Sequence, residues 1–284
     1  MRERVFCVRR GEPGYPERLS DLPDPPDQLW AIGDIALLDL PTAAVVGTRR
    51  STTHGERLTR ELVSALVRAG AVVISGMARG IDGVAHRAAM DAGGKTIAVL
   101  ATGVDIAYPP SHRSLHRRIA DEGLLLAEYP PGAHSHKGAF LERNRLIAAL
   151  ARVTIVTEAP IKSGALRTAE AAMEINRQAA ALPGPIDIPQ SAGCNNLIGT
   201  GAHIITCIAD ALTLMRLTPR IHHPSEHANA DEASVWEALR SGAADLDTLC
   251  AQSGLPVQRC LAAVTALELR GEIECELTGE IRRR

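Results

Sequence analysis

The chain has 284 residues, 45% of them hydrophobic, and a formal net charge of −2 at pH 7. With roughly 100 to 200 residues per domain, this length suggests one large and one small domain, and the hydrophobic fraction is sufficient for a core. No apolar run approaches the roughly 18 residues of a membrane span, and residues 1–19 lack the hydrophobic centre of a signal peptide. We therefore expect a cytoplasmic protein with no membrane partner.

The first 40 residues are rich in proline. They are expected to form an extended segment that packs on the domain that follows, with Trp30 and Ile32 as anchors. The six cysteines of the chain form no C-x-x-C pair, which favours buried thiols in a reducing compartment. The sequence indicates no metal site and no cofactor.

Residues 41–218 alternate short apolar runs with stretches of helical period. The apolar runs, which predict buried parallel strands, are residues 43–47, 71–76, 96–103, 124–130, 153–159 and 179–184. The helical stretches are residues 56–69, 82–92, 111–122, 140–151 and 165–177. This alternation predicts a doubly wound α/β domain with a mostly parallel sheet.

A polar linker is predicted at residues 219–230, followed by a small winged-helix-like domain at residues 231–284. Three helical segments and two short strands are expected in this domain. The helical segments are residues 235–240, 246–252 and 257–270, and the strands flank Thr278-Gly279. Residues 231–284 carry six basic and ten acidic side chains, whereas residues 41–230 carry twenty and fifteen. Because an acidic excess repels phosphate, we interpret the small domain as a protein-interaction or regulatory module; the alternative is a duplex-reading regulator.

Glycines, hydroxyls and cations follow the predicted strands. Right-handed crossovers bring the carboxyl ends of parallel strands to one edge of the sheet, so these loops should converge. Their cations are Arg49, Arg79 and Lys162. Gly47 has no glycine at the next-but-one position, and the chain has no G-x-x-x-x-G-K-[ST] motif, which disfavours NAD and Walker-type nucleotide binding. A polymer with several phosphates remains as the ligand class.

Seven strings resemble, in the same order, the DNA-processing protein A family, known as DprA or Smf. They are GTRRSTTHG (47–55), SGMARGIDGVAH (75–86), TGVDIAYP (102–109), FLERNRLIAAL (140–150), EAPIKSGALRTA (158–169), LPG (182–184) and SAGCNNLIGTGA (191–202). The resemblance implies a Rossmann-like fold that binds single-stranded DNA, forms a homodimer and helps to load the RecA recombinase on incoming DNA during natural transformation. It also implies a protein that is not an enzyme.

The resemblance also implies a DNA-binding site. Its residues are Arg49, Arg79, Gly80, Lys137, Phe140, Arg143, Asn144, Arg145, Lys162, Ser163 and Gly164. In this interpretation the phosphate contacts are Arg49, Arg79, Arg143 and Lys162. Ser163 and Gly164 donate hydrogen bonds at a helix start, and Phe140 is a platform for base stacking.

Other interpretations of these residues stay open. Phe140 can equally belong to the core, and Tyr108 is interpreted as packing at the rim. Arg143 and Arg145 can lie on a solvated helix face or pair with Glu142 or Glu158.

Two further interpretations concern the enzyme class and the dimer. Ser163-Gly164 followed by Glu170 is similar in spacing to the loop of phosphoribohydrolases, in which the acid assists cleavage of a base–ribose bond, although Leu166 replaces the second glycine of that loop. A nucleotide-processing enzyme is therefore the alternative function. The apolar stretch Ile204 to Leu217 is a candidate dimer surface, and core burial explains it nearly as well.

Overall fold

A computed structural model describes residues 5–218, 229–269, 272–275 and 279–283. The chain divides into two compact units, Met1–Pro219 and Arg220–Arg284. The strands of the first unit are β1 (Phe6–Arg9), β2 (Gln28–Gly33), β3 (Thr42–Val46), β4 (Val72–Ser75), β5 (Thr96–Leu100), β6 (Leu124–Ala127), β7 (Val153–Val156), β8 (Gln178–Ala181) and β9 (His203–Ile204). Its helices are α1 (Thr53–Arg68), α2 (Ile81–Asp91), α3 (Arg113–Glu122), α4 (Ala139–Leu150), α5 (Gly164–Glu174), α6 (Ala192–Gly199) and α7 (Ile208–Leu214).

These strands form one sheet in the order β1-β2-β6-β5-β4-β3-β7-β8-β9. All neighbours from β6 to β9 pair in parallel, and β1 and β2 are antiparallel. The chain builds the sheet outward from β3 through β4, β5 and β6, and then returns to place β7 on the other side of β3. This reversal opens a crevice at the carboxyl ends of β3 and β7, the usual position of a ligand site in such sheets.

Continuous burial explains why the strands read as apolar runs. Every residue of β3 and β5 is buried, and Leu124, Leu125 and Leu126 of β6 are fully inaccessible. Helices cover both faces of the sheet, so neither side of a central strand meets water. Helix α1 buries one face, which includes Leu62, Val63 and Leu66, and exposes its charged residues.

The predicted fold class is confirmed: the first unit is a Rossmann-like, mostly parallel sheet. Each of the six predicted strands exists, and the five helical stretches correspond to α1 through α5. Each of these strands ends one to three residues earlier than predicted, because the apolar runs included the first residues of the loops that follow. The proline-rich residues 1–40 do more than pack on the domain, since β1 and β2 extend its sheet beside β6.

The second unit contains α8 (Ala230–Ala238), α9 (Leu246–Ser253), α10 (Val257–Leu269), β10 (Ile273–Cys275) and β11 (Ile281–Arg283). The two strands pair antiparallel after the three helices, as in a winged helix. Val235, Trp236, Leu249 and Leu267 form its core. The predicted linker, residues 219–230, lies mostly outside the described residues, and Asn229 already caps α8 through a hydrogen bond to the Glu232 N–H.

Candidate functional site

A cavity of about 450 Å³ lies at the carboxyl edge of the sheet, in the crevice between β3 and β7. Three segments line most of it: the loop after β3, the start of α4 and the loop before α5. We call it the main cavity. Its lining includes Arg49, Phe140, Arg143, Asn144, Lys162, Ser163 and Gly164. The convergence of loops that the sequence predicted is therefore present for seven of the eleven predicted residues.

A second cavity of about 390 Å³ shares Arg49 and Phe140 with the main cavity and adds Arg79 to the predicted residues that line the site. Gly80, Lys137 and Arg145 line neither cavity. Lys137 is exposed in the loop before α4. Arg50, which the sequence analysis did not include in the site, lines both cavities. Its only sequence signal is its place beside Arg49 in the same loop.

The cations that line the two cavities are exposed, and no carboxylate of the described residues neutralises their charge. Arg49, Arg50, Arg79 and Lys162 are all exposed, and in the described part of the chain none forms an ion pair with a carboxylate. Other arginines of the chain do form ion pairs, for example Arg57 with Glu61 on α1. Cations without a carboxylate partner in the protein can neutralise a bound anion.

Arg143 has a different role from the predicted phosphate contact. It is 4% exposed, and its guanidinium Nη1 donates to the backbone carbonyls of Gly76 and Val99, just after β4 and at β5. A Cβ at Gly76 would lie 2.6 Å from the guanidinium carbon, so the close approach requires glycine. Burial lowers the pKa of Arg143 to about 10, with the Asp82 carboxyl acting in the opposite direction. Arg143 therefore supports the floor of the main cavity, a contact that the sequence did not predict.

The contacts of Arg145 also differ from the prediction, because its guanidinium forms an ion pair with a carboxylate of the protein. Its guanidinium Nη2 lies 2.7 and 2.9 Å from the two carboxylate oxygens of Glu128. The sequence analysis named Glu142 or Glu158 as partners. Instead, Glu142 accepts the Tyr129 hydroxyl, and Glu158 accepts hydrogen bonds from the backbone and hydroxyl of Thr52. In this arrangement Arg145 is neutralised within the protein.

Buried side chains hold the loop of residues 76–80, which follows β4. Asp82 accepts from the N–H groups of Gly76 at 3.2 Å and Ala78 at 3.3 Å, and His86 Nε2 accepts from Met77 N–H at 3.3 Å. His112 Nδ1 lies 3.1 Å from the Met77 carbonyl oxygen. Burial raises the pKa of Asp82 and lowers the pKa of His86 to about 3. Neither Asp82 nor His86 is among the residues that the sequence predicted for the site.

Gly80 contributes to the site through its backbone. Its φ is +73°, and a Cβ at this position would lie 2.2 Å from the Thr48 carbonyl oxygen. The Ile81 N–H donates to the same oxygen at 3.2 Å, so the loops after β3 and β4 are in direct contact. Glycine is required here because the backbone conformation and the space both exclude a side chain. Gly80 thereby fixes the separation of the loops that carry Arg49 and Arg79.

Helix α5 starts at the main cavity. Ser163 is its N-cap, with its hydroxyl accepting from the Ala165 N–H at 3.3 Å, and Gly164 is its first residue. Asn144 is buried and donates from Nδ2 to the Gly164 carbonyl at 3.3 Å, which ties α4 to the start of α5. The unpaired N–H groups and positive dipole end of a helix start favour an anion, and Lys162 adds charge beside them.

Phe140 is half-buried at the start of α4, between the two cavities. Its ring centroid lies 5.3 Å from that of Tyr108, with an interplanar angle of 47°, and 5.2 Å from the guanidinium carbon of Arg49. Cation–π attraction and ring contact orient Phe140 without burying it fully. A planar surface therefore stands beside the cations.

Three further properties concern the part of the chain that the structure describes. Within the described ranges, no group of three His, Cys, Asp or Glu side chains is placed to hold a metal ion. Among the same residues, no helix has both the length and the apolar character needed to span a membrane. The six cysteines are free thiols.

The comparisons with known proteins agree with this architecture. Residues 6–216 match the family described as DNA recombination-mediator protein A, and residues 220–279 match the DprA winged helix domain. The chain is 42% identical over 257 residues to the putative DNA processing protein DprA of Mycobacterium tuberculosis, covering 87% of this chain and 66% of that protein. It is 34% identical over 281 residues to protein Smf of Escherichia coli, covering 95% and 75%.

Two solved structures are similar to about three quarters of the chain. The X-ray structure of DprA from Streptococcus pneumoniae matches with a TM-score of 0.71 and 40% identity over 74% of each chain. A structure of DprA from Helicobacter pylori, described for its single-stranded DNA binding mode, matches with a TM-score of 0.68 and 33% identity over 75% of this chain and 95% of that one. The chain spans 66% of the length of the M. tuberculosis relative. It belongs to the DNA recombination-mediator protein A family, the DprA or Smf proteins, and carries the winged helix domain of that family.

Proposed function

We propose that the protein binds single-stranded DNA at the carboxyl edge of its sheet, with the strand held mainly through its phosphates. The observation that carries the proposal is the set of exposed, unpaired cations at this edge of the described chain. They are Arg49, Arg50, Arg79 and Lys162. Backbone donors at the start of α5 lie beside them, and both features suit an anionic polymer.

The shape of the site favours an unpaired strand over a duplex. Its cations line cavities rather than a flat surface, and Phe140 presents part of its ring between them. Bases can contact an aromatic ring in this way only when they are free of a complementary strand. The single-stranded DNA binding mode described for the H. pylori relative, at 33% identity, supports the same ligand.

Fluorescence anisotropy with a labelled oligothymidylate at several salt concentrations tests the proposal. Neutralising four to six phosphates should make log affinity fall with log salt at a slope of about −3 to −4. The triple variant Arg49→Ala, Arg79→Ala, Lys162→Ala should lose binding and keep its fold. Unchanged affinity in this variant would contradict the proposal.

The chain offers a matched control at the opposite edge of the sheet. Arg68 is exposed in the last turn of α1, and Lys95 is exposed immediately before β5. Both precede the amino ends of strands, away from the two cavities. The double variant Arg68→Ala, Lys95→Ala removes two cations of the same types and should bind as the unaltered protein does. A comparable loss in this control would mean that overall charge, rather than the site, sets the affinity.

We propose further that the protein loads the RecA recombinase on single-stranded DNA during natural transformation and acts as a binding protein, not as an enzyme. The family description as a recombination mediator supports this role. RecA-dependent ATP hydrolysis on DNA covered by a single-stranded DNA-binding protein measures loading. The rate should rise when the protein is added and should not rise with the triple variant.

A homodimer is part of the same proposal, with its surface at β9 and α7. Ile204 and Ile208 are 48% and 38% exposed, although they are apolar. Ile204 lies in the edge strand β9, and Ile208 is the first residue of α7. Burial of such side chains against a second copy would remove apolar surface from water. Sedimentation equilibrium should report a dimer, and the variant Ile204→Asp, Ile208→Asp should report a monomer. A dimer that persists in this variant would place the interface elsewhere.

The alternative, a phosphoribohydrolase-like enzyme, relied on Glu170 as the acid. The Glu170 carboxylate pairs with Arg167 at 2.8 Å, and Glu170 does not line the main cavity. Its place on α5 therefore gives the alternative no support. Incubation with nucleoside monophosphates should release no free base, and release of base would favour the enzyme.

A further inference from the structure

The second cavity contains a feature that the sequence interpretation did not use. Tyr108 lines this cavity together with Pro109, Pro110 and Arg79. The tyrosine is 43% exposed, and its ring contacts Phe140, which also borders the main cavity. Two aromatic rings and two prolines thus present apolar surface to a cavity that also has exposed guanidinium groups. This composition differs from that of the main cavity, in which Phe140 supplies the only ring among the lining residues.

The walls of the second cavity are connected to each other. Residues 110–112 form a short 3-10 helix that begins directly after Tyr108-Pro109. His112, at the end of this turn, lies with Nδ1 3.1 Å from the carbonyl oxygen of Met77, in the loop that carries Arg79. A hydrogen bond within the protein therefore holds the aromatic wall and the cationic wall together. A site organised in advance loses less entropy when a ligand binds.

The size and chemistry of the cavity suit one nucleotide. A volume of about 390 Å³ lies near the lower end of the range for small-molecule pockets. The flat apolar surface of Tyr108 suits a base, which every nucleotide offers regardless of sequence. The guanidinium of Arg79 suits a phosphate oxygen.

We propose that the second cavity holds the nucleotide next to the one in the main cavity, within the same unpaired strand, with its base against Tyr108 and its phosphate at Arg79. This inference rests on the proposed function. Phe140 and Arg49 border both cavities, so the strand passes from one to the other across these two side chains. Tyr108 then acts as a stacking residue, in place of the rim packing that the sequence suggested.

Competition binding with unlabelled 5′-phosphorylated oligothymidylates of one to six nucleotides tests the inference. Thymidine monophosphate fills one cavity, and pTpT fills both, so the unaltered protein should gain affinity at the second nucleotide. Because a stacked base contributes about 1–3 kcal/mol, Tyr108→Ala should weaken binding of every oligonucleotide of two or more residues by about five- to 150-fold. Binding of the mononucleotide should change little, and Tyr108→Phe should restore the gain because it keeps the ring.

Two further variants distinguish the loss of the Tyr108 contact from a general loss of structure. Ile186 is 96% exposed and lines neither cavity, so Ile186→Ala serves as the control for loss of an exposed apolar side chain. Arg79→Ala should weaken the same second-nucleotide step and reduce the salt slope by about 0.7. Circular dichroism melting reports whether each variant is folded.

The possible outcomes are distinct. If the unaltered protein binds the series and Tyr108→Ala has the same length dependence, the second subsite does not exist and the proposed function stands. If the unaltered protein binds no oligonucleotide, the proposed function fails. If Tyr108→Ala removes the gain at the second nucleotide and Tyr108→Phe restores it, the assignment holds.

Discussion

The imidazole of His86 holds the backbone of Met77 through a single, defined tautomer. Thr96 Oγ1 donates its proton to the Val73 carbonyl at 2.7 Å, so it must accept the hydrogen bond from His86 Nδ1, also at 2.7 Å. Nδ1 therefore carries the proton, and Nε2 is left as the acceptor for the Met77 N–H. Met77 has a φ of +59°, which is unfavourable for a residue with a side chain. His86 thus stabilises a strained turn immediately before Arg79.

The first prediction is that His86 makes stability fall in acid. Burial lowers the pKa of His86 from 6.5 to about 3, so between these pH values the unfolded chain binds a proton that the folded protein does not. The contribution of the neutral His86 to the free energy of unfolding is complete above about pH 6.5. It is lost at about 1.4 kcal/mol per pH unit as the pH falls towards 3.

Urea unfolding of the unaltered protein and of His86→Gln measures this contribution. Other titrating groups, including Asp82, are common to both proteins and largely cancel in the difference. The difference in free energy of unfolding should therefore change with pH below about 6.5 and be constant above it. A difference that is the same at pH 7.5 and pH 5 would contradict the assigned protonation state.

The second prediction is that His86 acts on DNA binding through Arg79. His86→Ala leaves the Met77 N–H without its acceptor, so the loop of residues 76–80 should lose its conformation and displace Arg79. We expect the affinity for oligothymidylate to fall by about tenfold in Arg79→Ala, the value of a charge-assisted hydrogen bond, and by a similar factor in His86→Ala. The double variant should be no weaker than Arg79→Ala alone. Additive losses, or no recovery in His86→Gln, would show that His86 has only a general structural role.

The third prediction contrasts two glycines of the site. Gly80→Ala forces a Cβ to within 2.2 Å of the Thr48 carbonyl oxygen at a φ of +73°, which should lower the free energy of unfolding by about 3 kcal/mol. Gly164→Ala places a Cβ in open space at a helical position and should be neutral or stabilising by up to about 1 kcal/mol. Thermal melting of both variants measures this difference in stability. The prediction is wrong if Gly80→Ala melts at the same temperature as the unaltered protein.

The fourth prediction concerns the ion pair between Arg145 and Glu128. Each side chain is about one quarter exposed, so release of the arginine makes a cation available at the carboxyl edge. Glu128→Gln should raise the affinity for oligothymidylate at low salt and steepen the salt slope by up to about 0.7, the value for one additional phosphate contact. Gln keeps the shape of the side chain and removes its charge. An unchanged slope would show that Arg145 does not reach the strand.

Much of the fold was accessible from the sequence because its strands are buried on both faces. Runs such as residues 43–47 and 124–130 are apolar without alternation, and each is followed by a loop with glycine or proline. The antiparallel pair of β1 and β2 was not predicted. Residues 28–33 do form a strand around Trp30 and Ile32, but the prolines before it suggested an extended segment instead.

The convergence of the loops at one edge of the sheet was predictable, because the topology of a parallel sheet determines it. Arg49, Arg79 and Lys162 follow parallel strands, and the carboxyl ends of such strands must share an edge. The internal contacts of Arg143 and Arg145 were not predicted, because both lie on α4, whose residues are mostly buried on several sides. The sequence pattern therefore does not show which way each arginine points. His86 had a signal, since it is the only histidine in a helix otherwise rich in small apolar residues.

The antiparallel strands β1 and β2 cover the edge of the sheet beside β6. Without them, β6 would end the sheet and expose the unpaired backbone of its leucines to other chains. The strand that ends the sheet instead, β1, has four residues and finishes at the charged Arg9, a poor template for further strand addition. The segment whose prolines predicted only an extended stretch packed on the domain thus protects this edge of the sheet from aggregation. The opposite edge, at β9, is left available for association.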